Sequence, residues 1–301
     1  MPTRSRWQHL ATEAVNPRSR DIDTLTPDEI VEVMILDNRS VLTAVRREKT
    51  RIARGSELVA DAVLKGGRLI FVGAGTSGRL GVLEAAELPP TFGIEPDVAV
   101  AIMAGGAAAV HQAKEGVEDD EEEGDRAMRG LRPTRKDVVI GVSASGITPF
   151  VQGAVARARA AKARIIGVTC DPRSELKDLA DVTIVLAVGP EVIAGSTRLK
   201  AGTATKIVLN MLTTSAMVRA GKTYGNLMVD VKSNSDKLRD RARRIIGTVT
   251  GLDSDAADVL LQRARWNVKA AILMQQTGMT RAKALSRLRV EPRLRKLLGG
   301  R

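Results

Sequence analysis

Cysteine is almost absent from this chain. Cys170 stands alone, so no internal disulfide can form and a cysteine-built zinc site is excluded. Aromatic residues are scarce too: Trp7, Phe71, Phe92, Phe150, Tyr224 and Trp266 are all there are, so the core has to be aliphatic and stacking platforms for single-stranded nucleic acid are missing. No apolar stretch approaches the roughly 20 residues of a membrane-spanning helix. The N-terminal "MPTRSRWQHLATEAVNPRSRD" scatters arginines without an uninterrupted apolar core, which argues against a secretory signal. These absences point to a reducing cytoplasm and away from any membrane partner.

Positive charge is in excess, with 47 Lys and Arg against 35 Asp and Glu and a formal net charge of +12. Such a balance attracts polyanions. The basic residues are dispersed, however, and the densest cluster, "KLRDRARRIIG", is accompanied by no nucleic-acid motif. A solvated basic face that gathers small anions is the better reading, with no nucleic-acid partner expected. The 301 residues suffice for one large domain, a small one and a buried core.

Five apolar runs read as strands: "RLIFVG" from Arg68, "VAVAIMAG" from Val98, "DVVIGVS" from Asp137, "RIIGVTC" from Arg164 and "VTIVLAV" from Val182. Most are nearly continuous, as strands covered on both faces should be. Helical patterns lie around them at Pro27 to Ala53, Leu80 to Leu88, Pro149 to Lys162 and Leu199 to Ala220. Their alternation predicts an α/β fold with a doubly wound, mainly parallel five-stranded sheet. From about Asn234 the pattern changes to short helical segments around Asp253 to Ala264, Asn267 to Gln276 and Thr280 to Leu288, punctuated by Gly251, Gly278 and the caps Asp253 and Thr280. Val259, Leu260, Val268 and Ile272 are expected to pack inward there. The expected organisation is an N-terminal arm and helix over 1–55, the main α/β domain over 56–233 and a small C-terminal three-helix module over 234–301.

Ligands of such sheets bind beyond the carboxyl ends of the strands, and two polar turns fall there. "GAGTSGR" offers backbone N–H groups at a helix N-terminus with the hydroxyls of Thr76 and Ser77, a combination that binds a phosphate dianion. "SASGITP" repeats it with Ser143, Ser145, Gly146 and Thr148, and Pro149 suits the first turn of the next helix. Neither turn has the lysine of a Walker A loop. Gly73, Gly75 and Gly78 match the dinucleotide pattern G-x-G-x-x-G, but the hydroxyl-rich second turn is no part of that pattern. Each turn alone fits an ordinary capped connection as well as it fits an anion site; the two together favour a phosphorylated ligand.

Two acidic features follow. Pro89 disfavours helical geometry at Leu88, which predicts a helix end at about Glu87. A carboxyl group facing the negative end of a helix suits a general acid. Glu84, almost a turn earlier, lacks that position and reads as structural. In "EGVEDDEEEGD", residues 115 to 125, Asp119 through Asp125 read as a solvated face. Glu118 stands at the leading edge of the run, where crowding by like charges strengthens a base, although local sequence alone does not separate it from its neighbours.

Together, "GAGTSGRLGVLEAAELPPTFG", "AGGAAAVHQAKEGVEDD", "SASGITPFV", "AGSTRLKAGTATKIVLNMLTT", "TEAVNPRSRDIDTL" and "YGNLMVDVKSNSDKL" resemble the N-acetylmuramic acid 6-phosphate etherase family, within the sugar isomerase (SIS) phosphosugar-binding superfamily. The likeness extends from about Thr12 to Leu288. It implies a flavodoxin-type SIS sheet and a homodimer acting on a small phosphosugar, with neither metal nor cofactor. The implied reaction cleaves the D-lactyl ether of N-acetylmuramic acid 6-phosphate to N-acetylglucosamine 6-phosphate and D-lactate, in cell-wall sugar recycling. The family's acid, the glutamate one residue before Pro-Pro, maps onto Glu87 in "AAELPP", and its second glutamate onto Glu118 in "KEGVEDD". Thr76, Ser77, Ser143, Ser145 and Thr148 would hold the phosphate, Ser196 and Lys200 would complete the site, and Arg198 is a further candidate for the lactyl carboxylate. The C-terminal "GLDSDAADVLLQRARWNVKAAI" resembles the ubiquitin-associated-like three-helix fold, without implying ubiquitin binding. Two alternatives stay open at this level: a phosphosugar-sensing regulator related to the glucokinase regulatory protein, which needs no acid, and an aldose–ketose phosphosugar isomerase. The single module and both glutamates favour the etherase.

Overall fold

The computed structural model describes residues 10–231 and 235–299. The chain divides into two compact units, one of Met1–Ala85 with Asp97–Thr213 and one of Ala86–Pro96 with Thr214–Arg301. The boundary expected at residues 233 and 234 lies outside the described residues.

In the first unit α1 (Pro27–Arg47) starts from a capping box: the Thr26 hydroxyl accepts the Glu29 amide, and the Glu29 carboxylate accepts the Thr26 amide. The helical run expected to stop at Ala53 instead breaks at Glu48 and resumes as α2 (Lys49–Leu64). Gly55 and Ser56 resemble breakers in the sequence, yet both are buried in that helix, and the Ser56 hydroxyl donates to the Ile52 carbonyl at 3.0 Å.

Strands β1 (Leu69–Gly73), β2 (Ala99–Met103), β3 (Val138–Val142), β4 (Arg164–Thr169) and β5 (Val182–Val185) form one sheet in the order β2-β1-β3-β4-β5. Every pairing is parallel. The chain winds outward one way through β2 and the other way through β4 and β5, so the topological switch lies between β1 and β3. Every residue of β1 and β3 is buried, as their continuous apolar sequences require. Helices α3 (Gly75–Phe92), α4 (Ala108–His111), α5 (Glu121–Leu131), α6 (Pro149–Ala160), α7 (Leu176–Leu179) and α8 (Lys200–Arg219) connect and follow the strands. Ile70, Val72, Val139 and Ile165 share one apolar layer with Phe150, Val151, Ala154 and Val155 of α6.

Helix α5 orders the acidic run, in which Asp119 to Glu122 are exposed as a solvated face should be. Asp120 caps it by accepting the Glu123 amide at 2.8 Å, and Glu121 to Glu123 occupy its first turn, where the helix dipole favours negative charge. Asp125 is ion-paired with Arg157 at 2.5 Å and with Arg129, and the Arg157 hydrogen bond holds its carboxyl below the usual range. Helices α5 and α6 meet backbone to backbone: a Cβ on Gly124 would lie 2.0 Å from the Phe150 carbonyl oxygen, and one on Gly153 would lie 2.1 Å from that of Glu121. This contact sets the segment leading into α5 beside the start of α6.

Helix α3 corrects a second expectation, because it runs through Pro89 and Pro90 to Phe92 instead of ending at Glu87. Each proline removes its own N–H and crowds the carbonyl four residues earlier, here Ala85 and Ala86, and the helix continues nonetheless. The Glu87 carbonyl takes the Thr91 hydroxyl at 2.7 Å, and the Pro89 carbonyl takes the Gly93 amide at 2.9 Å. Glu87 is therefore an interior helix residue, and the helix-end argument for its chemistry does not apply.

The second unit holds the hairpin β6 (Thr223–Tyr224) and β7 (Leu227–Met228), then α9 (Asp236–Thr250), α10 (Ser254–Arg263), α11 (Val268–Thr277), α12 (Arg281–Val290) and α13 (Leu294–Leu297). Asp253 and Thr280 cap α10 and α12, and Gly251 and Gly278 end α9 and α11 in the left-handed conformation. Leu260, Val268 and Ile272 are buried as expected, whereas Val259 is 57% exposed. Ala257, Leu260 and Leu261 take the inner face of α10, which turns Val259 outward.

Candidate active site

Gly73 is the register partner of Val142 across β1 and β3, so the two polar turns leave the sheet from neighbouring strands at the switch point. In the first turn α3 folds back closely on its strand: a Cβ on Gly73 would lie 2.6 Å from the Gly78 nitrogen. The hydroxyls of Thr76 and Ser77 make no hydrogen bond among the described residues, and both line a cleft of about 480 Å³.

The second turn is braced from within. The buried Ser143 hydroxyl accepts the Gly146 amide at 2.9 Å and pairs with the Thr148 hydroxyl at 2.7 Å. Gly146 has φ +76°, and Ser174 Oγ sits 2.1 Å from where a Cβ would be, donating to the Gly146 carbonyl at 3.1 Å. Ser145 and Thr148 are half-buried and reach the same cleft. Thr148 precedes α6 without capping it through its side chain, which leaves that helix's first amides open to an anion.

The opposite wall comes from the segment after β2. Glu118 is exposed on a single turn, Val117–Asp119, and lines the cleft beside Glu115 and Asp119. Sequence reasoning assigned no part to Glu13, Arg79 or Lys114, which line it as well. Arg79 donates to the carbonyls of Val110 at 3.0 Å and Ala109 at 2.8 Å, and Lys114 donates to that of Gly105 at 3.2 Å. Glu13 arrives because the Gly195 amide donates to the Thr12 carbonyl at 2.9 Å, a tertiary link with no local sequence signal.

Other candidates stand elsewhere. Glu87 is exposed on α3 and is not among the residues lining the cleft. Glu84 is buried, accepting from Asn210 Nδ2 at 2.6 Å and the Thr213 hydroxyl at 2.5 Å, which suits its structural reading. Lys200 is buried in an ion pair with Asp37 at 2.7 Å and donates to the Pro190 carbonyl at 2.7 Å. It joins α1 to the start of α8 and does not line the cleft. Ser196 is half-buried and also absent from the wall, although its neighbours Gly195 and Thr197 are in it. Arg198 lines a separate groove with Thr76, Leu80 and Lys206. His111 is exposed and outside the cleft wall, and His9 lies outside the described residues. Burial, then the charges of Glu191 and Asp171, pushes the Cys170 thiol up to about 12, so it stays neutral and is no nucleophile near neutral pH.

Residues 51–159 match the glucokinase regulatory protein N-terminal SIS domain, and residues 117–215 match the SIS domain. A phosphoheptose isomerase structure from Neisseria gonorrhoeae shares the fold, with a TM-score of 0.50 and 18% identity over 64% of this chain and 99% of that one. Similarity to N-acetylmuramic acid 6-phosphate etherases is much higher. The Salinibacter ruber protein is 52% identical over 89% of this chain and 86% of its own length. That of Trichormus variabilis is 50% identical over 90% and 88%, and that of Gloeobacter violaceus 50% over 93% and 92%. Identity at that level along most of both lengths exceeds what a shared fold demands, and the chain belongs to the N-acetylmuramic acid 6-phosphate etherase family.

Proposed function

We propose that this protein is a carbon–oxygen lyase that releases D-lactate from N-acetylmuramic acid 6-phosphate and leaves N-acetylglucosamine 6-phosphate. One observation carries the reading: Glu118 shares a single cleft with the hydroxyls of Thr76, Ser77, Ser145 and Thr148. The hydroxyls and the open amides of α3 and α6 take the phosphate dianion. Ser143 braces the second turn. Anchored there, the sugar presents its C2–C3 bond to a carboxylate, which is catalysis by orientation.

The chemistry needs a base and an acid. In the open-chain sugar the C1 aldehyde delocalises the electron pair left when the C2–H bond breaks, and Glu118 takes that proton. The pair then forms the C2–C3 double bond as the C3–O bond breaks, and an acid protonates the departing lactate oxygen. Water adds back at C3, giving one proton to the spent acid, while Glu118, its proton exchanged with solvent in the meantime, protonates C2. The net change is ether plus water to alcohol plus lactate. Well-placed acid–base groups contribute about 10² to 10⁴ each in rate.

Glu87 is the acid in this reading. The family resemblance implies a homodimer, and Glu87 is exposed on α3. A phosphorylated sugar is retained where it is made, so the reaction belongs in the cytoplasm, in the recycling of cell-wall sugars. Incubation with N-acetylmuramic acid 6-phosphate should release D-lactate stoichiometrically; no lactate would dismiss the lyase. Mixing the inactive variants Glu87→Gln and Glu118→Gln should restore about a quarter of wild-type activity if acid and base come from different copies. No recovery would place both on one chain.

A further inference from the structure

We infer that Arg79, assisted by Lys114, seats the lactyl carboxylate and so selects the ether substrate from other phosphosugars. The inference deepens the lyase reading above and rests on it. The substrate carries two anions, a phosphate and a carboxylate, and the hydroxyl-lined turns account for one. Arg79 and Lys114 are the basic residues of the cleft wall, and neither pairs with a carboxylate among the described residues.

Their placement suits the second anion. Arg79 follows Ser77 by two positions on α3, and side chains so spaced diverge around a helix. Arg79 thus points away from Ser77, and its bonds to the Val110 and Ala109 carbonyls draw it toward the segment after β2. The bonds from Nε and Nη2 to Val110 and Ala109 hold the guanidinium in place, while both N–H groups on Nη1 have no partner among the described residues. A half-buried, fixed guanidinium with a free edge binds a carboxylate without much further ordering. Lys114 precedes Glu118 in the same segment and hangs on the Gly105 carbonyl. The lactyl group is attached at C3, next to the C2 whose proton Glu118 removes, so its carboxylate belongs near that segment. Once the ether is cut, the carboxylate leaves with lactate and the seat empties.

The experiment compares two ligands that share the phosphate and differ in the carboxylate. Arg79→Met should raise KM for N-acetylmuramic acid 6-phosphate about 10- to 100-fold, the usual cost of a charge-assisted hydrogen-bonded pair. Lys114→Met, with an exposed side chain, should raise it only about 3- to 10-fold. Competitive inhibition by N-acetylglucosamine 6-phosphate should stay within about twofold of wild type in both, since phosphate contacts are untouched. Equal weakening of both ligands, or no change in KM, would overturn the inference. Should Arg79→Met fail to fold, Arg79→Lys and Lys114→Met carry the same comparison, with Arg79→Lys losing part of the ether's affinity and none of the product's. The wild-type lactate assay stands as the separate control: failure there removes the lyase, whereas lactate release without ligand discrimination removes only the carboxylate seat.

Discussion

The two walls of the cleft are built on opposite plans. The wall at the switch point is rigid: Gly73 against Gly78, Ser143 within its own turn, and Ser174 against Gly146 leave little room for adjustment. The facing wall is a single exposed turn carrying Glu118, with Lys114 tied to the Gly105 carbonyl and Arg79 reaching across from α3 to the Ala109 and Val110 carbonyls. A rigid wall suits a phosphate, whose geometry is fixed and which does not react. An open carboxylate suits a proton that has to travel. On the proposed function, anchoring and chemistry are divided between elements that can be damaged separately.

Substitutions that hit one wall at a time test that division. The largest effect is expected from Glu118→Gln, which should lower kcat by about 10² to 10⁴ while inhibition by N-acetylglucosamine 6-phosphate persists. A parallel loss of product binding would merge the two roles. Gly146→Ala strikes the rigid wall through its backbone. The φ of +76° and the Ser174 hydroxyl 2.1 Å from the new Cβ should cost about 2 to 4 kcal/mol in denaturant unfolding. Wild-type stability would mean the turn is looser than its bonds indicate. Smaller again, Thr76→Val with Ser77→Ala should raise KM about 10- to 100-fold and leave kcat within a few-fold, because these hydroxyls hold substrate and transition state alike. A fall in kcat with KM unchanged would move the hydroxyls to the reacting centre.

The rigid wall was the legible one. Continuous apolar runs marked β1 and β3, and glycine with serine and threonine marked the turns, because strand burial and helix starts depend on neighbours in sequence. Glu118 was legible only through family resemblance, since nothing local separates it from Glu115 or Asp119. The Lys200–Asp37 pair is illegible in the sequence, because Asp37 lies on α1 and no spacing rule links the two. Helix α5 is hidden in the sequence by its first-turn acids, which form a solvated face while Met128 is buried behind them. Arg79 sat within the quoted turn unassigned, for its meaning comes from the Ala109 and Val110 carbonyls. The end of α3 is not legible because a proline disfavours helical geometry at the residue before it without forbidding it, and Leu88 is helical here.

The central claim is that Glu118 removes the C2 proton of an anchored open-chain sugar. Turnover in D₂O, read by the mass and NMR spectrum of the N-acetylglucosamine 6-phosphate formed, tests it most directly. The account predicts deuterium at C2 of the product, carbon-bound protons unchanged in the lactate, and loss of both exchange and lactate in Glu118→Gln. Product formed by the wild type with protium retained at C2 would contradict it.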